Sequence, residues 1–153
     1  MTNQEYEELK EVDSLKTKVL KYVLYKKRTE KEVRQKFAEN TGILLDNVIE
    51  YLKQENYIND LSYIEKSINE MQKLKNLSIK EVKYKLLAKG LSSKIVDEYI
   101  YEHKEEMLEY EIQSSKMIFI KKINVMAKED IQNYLRKKGY MEETITIAGE
   151  DYE

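Results

Sequence analysis

The sequence predicts an all-α protein made of three tandem three-helix repeats that form an elongated, curved array. Its 153 residues contain no proline and only four glycines, whereas strand proteins usually place some prolines in turns and at sheet edges. One segment recurs at a spacing of 49 residues, and apolar residues recur at helical intervals throughout. Charged residues make up 37% of the chain, well above the usual quarter, which suits thin cores in stacked units.

The recurring segment reads as one amphipathic helix in three copies. The copies are TEKEVRQKFAENTG from Thr29, SIKEVKYKLLAKG from Ser78 and AKEDIQNYLRKKG from Ala127. Each carries two apolar residues four positions apart, which places both on one helical face. These pairs are Val33 and Phe37, Val82 and Leu86, and Ile131 and Leu135.

The ends of the three copies carry signals for starting and stopping a helix. Thr29 and Ser78 each precede a glutamate by three positions, which predicts two capping boxes, whereas Ala127 lacks the hydroxyl. A glycine follows each copy, where a left-handed residue is favoured after a helix. These glycines are Gly42, Gly90 and Gly139.

An amphipathic segment precedes each capped helix, and another apolar segment follows each glycine. The predicted apolar stripes of the preceding segments are Leu15, Val19, Tyr22 and Val23, then Leu61, Ile64, Ile68 and Met71, then Ile112, Phe119, Ile123 and Met126. We therefore expect an acidic N-terminal extension at 1–13 and repeats at 14–58, 59–103 and 104–153. Stacking such repeats would produce a continuous core.

Charge alternates along the chain, although the net charge is only −2. Lysine and arginine predominate in residues 15–37, 71–94 and 116–138, and aspartate and glutamate in the segments between and after them. Aligned repeats could form a basic and an acidic ridge that steer a charged partner. Equally, neighbouring basic and acidic helices could simply attract one another, and the two readings are compatible.

The sequence offers no candidate for catalysis, a cofactor or a metal site. Cysteine is absent, and no phosphate-binding loop or nucleophile motif occurs. The single histidine, His103, lies in the polar stretch YEHKEEM, where a surface role is expected. No apolar run is long enough to span a bilayer and no signal peptide is recognisable, so we expect a cytoplasmic, non-enzymatic monomer without membrane contact.

Tyrosine is abundant, with thirteen copies against two phenylalanines. Tyr22, Tyr51 and Tyr99 fall on apolar stripes and are expected at the edge of the core. Tyrosines near linkers or basic helices could stack on bases or anchor an interface, although ordinary packing is the interpretation we favour for any single one of them. These are Tyr57, Tyr63, Tyr84 and Tyr140.

Four segments, in order, resemble the RecX family of recombinase-filament regulators. VLKYVLYKKRTEKEVRQKF is similar to the family's opening helix, basic pair and Glu-rich helix, and NYINDLSYIEKSI to its Gly-Tyr-Ile-Asp-Asp linker. KEVKYKLLAKGLSSKIVDEYI and YLRKKGYMEETI are similar to the second and third units. Asn56 stands where the linker glycine is usual, and Lys138 where arginine is usual, which puts individual contacts in doubt.

The resemblance covers residues 15–148 and implies a function. Members of this family bind the RecA recombinase, lodge along the groove of its filament on single-stranded DNA, and inhibit ATP hydrolysis and strand exchange. The chain would thereby regulate recombination, DNA repair and the SOS response. Alternatives are a direct DNA-binding protein with helix-turn-helix-like units, on single- or double-stranded DNA, and a generic helical adaptor.

Basic side chains of the capped helices and of the turns that flank them are the predicted partner contacts. Their expected role is electrostatic, toward an acidic filament surface or DNA phosphates. They are Lys26, Lys27, Arg28, Lys31, Arg34, Lys80, Lys83, Lys85, Arg136, Lys137 and Lys138.

Overall fold

The computed structural model describes all 153 residues, and it is entirely helical, as the sequence predicts. Nine α-helices follow one another with one short 3₁₀ helix and no strand. They are α1 (Asn3–Tyr25), α2 (Glu30–Lys36), the 3₁₀ helix (Ala38–Asn40), α3 (Ile43–Gln54), α4 (Asp60–Leu74), α5 (Ile79–Ala88), α6 (Ser93–Glu102), α7 (Lys104–Lys122), α8 (Lys128–Lys137) and α9 (Glu142–Gly149).

The chain divides into two compact units. Unit 1 comprises residues 1–63 and 89–91, and unit 2 comprises residues 64–88 and 92–153, so that the division falls within α4. None of the nine α-helices combines the length and the apolar character that a bilayer-spanning helix needs. The predicted acidic extension, residues 1–13, is helical from Asn3 onward and forms the first half of α1.

Unit 1 has its core where α1 packs against α2 and α3. Three residues of the apolar stripe predicted for α1, Leu15, Val19 and Val23, are buried, and Tyr22 is partly buried. Val33 of α2 is completely buried in the same core. Tyr22 and Phe37 meet edge to face, with ring centroids 5.8 Å apart. The buried members of this core are Leu15, Val19, Val23, Val33, Leu45, Val48, Ile49, Leu52 and Ile58.

Unit 2 is organised around α7, which packs against α5, α6, α8 and α9. Its C-terminal core contains Ile118, Phe119, Ile131, Leu135, Tyr140, Ile145 and Ala148. The α4 stripe is buried at Ile64 and Ile68, but the expectation for Leu61 was wrong, since this side chain is 53% exposed. Leu61 lies in the first turn of α4, one residue after the helix begins, and its side chain stays in solvent.

Both predicted capping boxes form. The Thr29 hydroxyl accepts from the Glu32 amide at 3.1 Å, and the Ser78 hydroxyl accepts from the Glu81 amide at 3.0 Å, with each glutamate reaching back. Ala127 begins α8 without a side-chain cap, as expected.

Each of these hydroxyls also donates a second hydrogen bond. Thr29 Oγ1 donates to the Lys89 carbonyl and Ser78 Oγ to the Lys138 carbonyl, both at 2.8 Å. The glycine after each of these carbonyls has φ +93°. Both hydroxyls are completely buried, so each of them satisfies a donor and an acceptor inside the fold.

The prediction that Gly42 ends the first capped helix was wrong. Helix α2 stops at Lys36 and the chain tightens into the 3₁₀ helix, so Gly42 instead caps the start of α3 with φ +140°. The Thr41 hydroxyl donates to the Ala38 carbonyl at 2.7 Å, an alternative to continued α-helix that this residue type favours.

Candidate partner-binding surface

The predicted basic contacts divide into three groups by what their side chains already touch. One group forms ion pairs inside the protein, one makes close hydrogen-bond or stacking contacts, and one projects into solvent. This distinction matters because a cation engaged by a neighbouring carboxylate has less to offer a partner, while exposed pairs themselves stabilise a fold only weakly.

The first group ties each capped helix to the acidic helix after it. Arg34 of α2 pairs with Asp46 of α3 at 2.6 Å, and Lys83 of α5 pairs with Asp97 of α6 at 2.7 Å. Arg136 of α8 pairs with Glu142 of α9 and also donates to Asn133. The attraction between basic and acidic helices that the charge pattern allowed is therefore present in all three copies.

Side chains around Glu30 form the largest of these networks. Glu30 accepts from Arg34 at 3.2 Å and from Lys53 of α3 at 3.0 Å. Burial alone would raise the pKa of Glu30, but the hydrogen bonds and charges of Lys53 and Arg34 outweigh it and lower that pKa. The Arg34 pKa is raised, chiefly by its hydrogen bond to Asp46.

The second group consists of Lys27 and Arg28, which follow α1. Lys27 Nζ donates to the Ser62 hydroxyl at 2.6 Å. The Arg28 guanidinium lies 4.2 Å from the centre of the Tyr22 ring, a cation–π contact, while its Nε is buried without a hydrogen-bond partner. Neither cation is paired with a carboxylate, so their charges are not neutralised locally.

The remaining six predicted residues are exposed and form no ion pair. Lys80 and Lys138 lie 5.9 Å and 5.6 Å from the rings of Tyr84 and Tyr134, distances at which the attraction is weak. All six ammonium groups can therefore reach a partner without breaking an internal salt bridge. They are Lys26, Lys31, Lys80, Lys85, Lys137 and Lys138.

His103 is half-buried where α6 ends and α7 begins, rather than lying on a polar helical face. Its ring stacks on Tyr99 with centroids 4.0 Å apart, and its Nδ1 lies 2.9 Å from the Tyr99 carbonyl oxygen. Burial raises the pKa of Tyr99. These contacts give the ring a packing role at the helix junction.

Two carboxylates with structural roles were missed by reasoning from the sequence. Asp60 accepts from the Glu30 amide at 3.1 Å, and Glu111, which is completely buried, accepts from the Ile79 amide at 3.1 Å. The second Glu111 oxygen accepts from the Thr144 hydroxyl at 2.6 Å. One signal was available: Glu111 lies four positions after Met107 and seven before Ile118, on the buried face of α7.

Comparison with known proteins gives one consistent result. The regulatory protein RecX of Staphylococcus haemolyticus is 31% identical over 134 residues, which covers 84% of this chain and 50% of the relative. The RecX protein of Clostridium beijerinckii is 33% identical over 121 residues, covering 74% and 56%. The chain spans about half the length of the curated relatives it matches. No protein-family model matches.

Solved structures show the same fold. The crystal structure of RecX from Lactobacillus salivarius superposes with a TM-score of 0.78, covering 94% of this chain and 97% of that one at 19% identity. A second crystal structure of a regulatory protein RecX also has a TM-score of 0.78, with 97% of this chain covered at 16% identity.

Proposed function

Because the chain belongs to the RecX family, we propose that it modulates a RecA-type recombinase, as an inhibitor that binds along the groove of the recombinase filament on single-stranded DNA. The observation that carries this proposal is the repeated match to regulatory RecX proteins, which extends over as much as 97% of the chain. The protein acts in the cytoplasm without chemistry of its own and thereby regulates recombination, DNA repair and the SOS response.

Exposed lysines on the capped helices and the turns around them support this proposal. The six side chains without an ion pair recur in all three copies of the capped segment, whereas Arg34, Lys83 and Arg136 are engaged within the fold. The proposed contacts are therefore the unpaired lysines, which attract an acidic filament surface or DNA phosphates at long range. Such attraction weakens as salt is added.

The test adds the purified chain to recombinase filaments on single-stranded DNA and follows DNA-dependent ATP hydrolysis across a salt series. We expect inhibition at near-stoichiometric protein that weakens with salt. Charge reversal of two exposed pairs together, Lys80 with Lys85 and Lys137 with Lys138, should abolish inhibition and co-sedimentation. Reversal of Lys66 and Lys73, which are exposed on α4 and unpaired, changes the charge of two lysines and is the charge-matched control for each pair reversed alone.

Each rival function has its own outcome in this assay. Salt-dependent DNA binding without any effect on the recombinase would favour a direct DNA-binding protein. Binding to neither DNA nor filaments would favour an adaptor for another protein. Inhibition that survives both charge reversals would leave the family function in place and remove the lysines from its mechanism.

A further inference from the structure

A small cavity lies in unit 1 where the chain leaves α1 and where it passes from α3 to α4. Its volume is about 230 Å³, and its lining includes Lys27, Arg28, Asn56, Tyr57, Asn59 and Ser62. Ligand pockets for whole small molecules are usually about 300–1,000 Å³. The cavity is therefore of a size for one functional group of a larger ligand.

The charge of this cavity is uniformly positive. Lys27 and Arg28 line it and no aspartate or glutamate does. Arg28 Nε is buried without a hydrogen-bond partner, so the guanidinium retains unused donor capacity inside the protein. Lys27 Nζ donates to Ser62 Oγ at 2.6 Å, which leaves the hydroxyl proton of Ser62 free to donate in turn.

The two asparagines add donors rather than acceptors. Asn56 Oδ1 accepts from Asn59 Nδ2 at 2.7 Å, and Asn59 Oδ1 accepts from the Ser62 amide at 3.0 Å. Because both side-chain oxygens are engaged, the capacity left to the Asn56 amide is chiefly that of its NH₂ group. Two cations, a hydroxyl and an amide that can all donate suit a ligand that only accepts, which means an oxyanion.

Backbone hydrogen bonds fix the turn that carries Asn56 and Tyr57. Asn56 has φ +65°, its amide donates to the Lys53 carbonyl at 3.0 Å, and the Tyr57 amide donates to the Leu52 carbonyl at 2.8 Å. This pair of bonds is the Schellman arrangement at the end of α3. The backbone that carries the Asn56 amide is thus held in place before a ligand arrives, which lowers the entropy cost of binding.

We propose that this cavity binds one phosphodiester group of single-stranded nucleic acid, with a neighbouring base stacked on Tyr57. The Tyr57 side chain lines the cavity and is 46% exposed, so it can offer a ring face beside the bound phosphate. A carboxylate of an acidic peptide would also accept hydrogen bonds but gives the ring nothing to stack on. The inference rests on the proposed function, since the strand concerned is the one inside the filament.

The experiment measures binding of the full chain to a fluorescent short oligothymidylate, without recombinase, across a salt series. Asn56→Asp places a negative charge in the cavity while keeping a residue type that tolerates positive φ. We expect at least about tenfold weaker binding, the effect of losing one charge-assisted hydrogen bond. Lys27→Gln should reduce the salt slope by about 0.7, the share of one single-strand phosphate.

The matched control is Asn47→Asp, the same charge change at an exposed residue of α3 that does not line the cavity. Its affinity should stay within about twofold of the unmodified chain, since an exposed charge is screened by solvent and salt. Thermal unfolding followed by circular dichroism checks that each variant is folded. Equal affinities of the Asn56→Asp and Asn47→Asp variants overturn the proposal, as does displacement of the oligonucleotide by polyglutamate but not by inorganic phosphate.

The ATP-hydrolysis assay separates this inference from the proposed function. If the unmodified chain binds the oligonucleotide through the cavity but never inhibits the recombinase, the proposed function fails and the cavity stands. If the chain inhibits and Asn56→Asp leaves oligonucleotide binding unchanged, the cavity fails and the function stands. If Asn56→Asp loses both oligonucleotide binding and inhibition while Asn47→Asp keeps them, the result supports the cavity and the proposed function together.

Discussion

Helices α2 and α5 begin in almost the same way, one in unit 1 and the other in unit 2. In both, a buried hydroxyl accepts from an amide three positions on and donates at 2.8 Å to a carbonyl 60 residues away in the chain. In both, the first helical amide donates at 3.1 Å to a carboxylate about 30 residues away. The carboxylates themselves differ, and this difference shows how the repeat tolerates change.

Asp60, the carboxylate at α2, is partly exposed, whereas Glu111, at α5, is completely buried. Burial raises the pKa of Asp60, and the hydrogen bond from the Glu30 amide opposes this only in part. Glu111 has both oxygens bonded, one to the Ile79 amide and one to the Thr144 hydroxyl. The first amide of the capped helix can thus be satisfied in two ways. In α2 it donates to a partly exposed carboxylate, and in α5 it donates to a buried carboxylate whose other oxygen is also hydrogen-bonded.

The largest expected effect comes from removing the buried carboxylate. Glu111→Ala should lower the free energy of unfolding by about 3–5 kcal/mol, because it leaves a cavity and two buried donors without acceptors. Asp60→Ala should cost only about 1–2 kcal/mol, since water can reach its site. Urea unfolding measures both values. Equal losses of unfolding free energy in the two variants would mean that burial does not distinguish the two helix starts. Glu111→Gln is the control that keeps the side-chain volume.

The glycine turns should show the next largest effect. A Cβ on Gly90 would lie 2.5 Å from the Lys31 side chain, and one on Gly139 would lie 2.9 Å from Lys80. At φ +93° an alanine is also strained, so each Gly→Ala change should cost about 1–3 kcal/mol, with Gly90 the more sensitive.

Lys31→Ala in the Gly90→Ala background separates the two causes of this loss. The lysine side chain supplies the steric part, and the backbone angle supplies the rest. We expect the double variant to recover part of the lost stability in thermal unfolding. The Cβ of residue 31, which stays in the alanine variant, would still lie 2.6 Å from the new methyl group. A cycle with no recovery would therefore assign the cost to this remaining contact and the backbone angle together, and exclude the outer part of the lysine side chain.

Hydroxyl removal at the two caps should be smaller and nearly equal. Ser78→Ala and Thr29→Val each lose one N-cap bond and one bond to a carbonyl, for an expected loss of about 1–2 kcal/mol. Ala127→Ser supplies the missing hydroxyl to α8 and should raise stability by about 0.5–1 kcal/mol, measured in the same denaturation series. No gain would indicate that Asp130, three positions on, does not complete the capping box.

The sequence predicts those features that arise within a few residues of one another. Both capping boxes, the apolar pairs of the capped segments and the left-handed glycines at 90 and 139 depend on spacings of three or four residues, which a helix fixes. The prediction for Gly42 was wrong because the first copy has one extra residue, and this residue is accommodated in the 3₁₀ helix. Whether the chain continues as an α-helix or tightens into a 3₁₀ helix depends on two competing local hydrogen-bond patterns.

The features that escaped prediction depend on distant parts of the chain. Glu111 reads as part of a charged face until α5 and α9 are known to lie against α7. The internal pairing of Arg34, Lys83 and Arg136 likewise needs to know which acidic helix lies beside each basic one. Charge pattern alone therefore identifies the basic segments but does not separate paired cations from free ones. The free cations remain proposed, not demonstrated, partner contacts.

The smallest expected effect is a pH dependence that belongs to the α2 helix start. Because the folded state raises the pKa of Asp60, it holds that proton more tightly than the unfolded chain does. Stability from this group is therefore fully present below its unfolded pKa of about 3.9 and is lost as pH rises through the folded pKa. Asp60→Asn keeps an oxygen for the Glu30 amide and removes the ionisation.

The variant should thus gain stability relative to the unmodified chain as pH rises through the folded pKa of Asp60. Glu30, whose lowered pKa acts in the opposite sense, is present in both chains, so its direct contribution largely cancels in the difference. Urea midpoints at several pH values measure this. A stability difference that falls with pH would mean that the N-terminal dipole of α4 stabilises the Asp60 charge more than burial penalises it. The carboxylate at the start of α2 would then act as a charged cap, and not as a weaker version of the buried Glu111 at the start of α5.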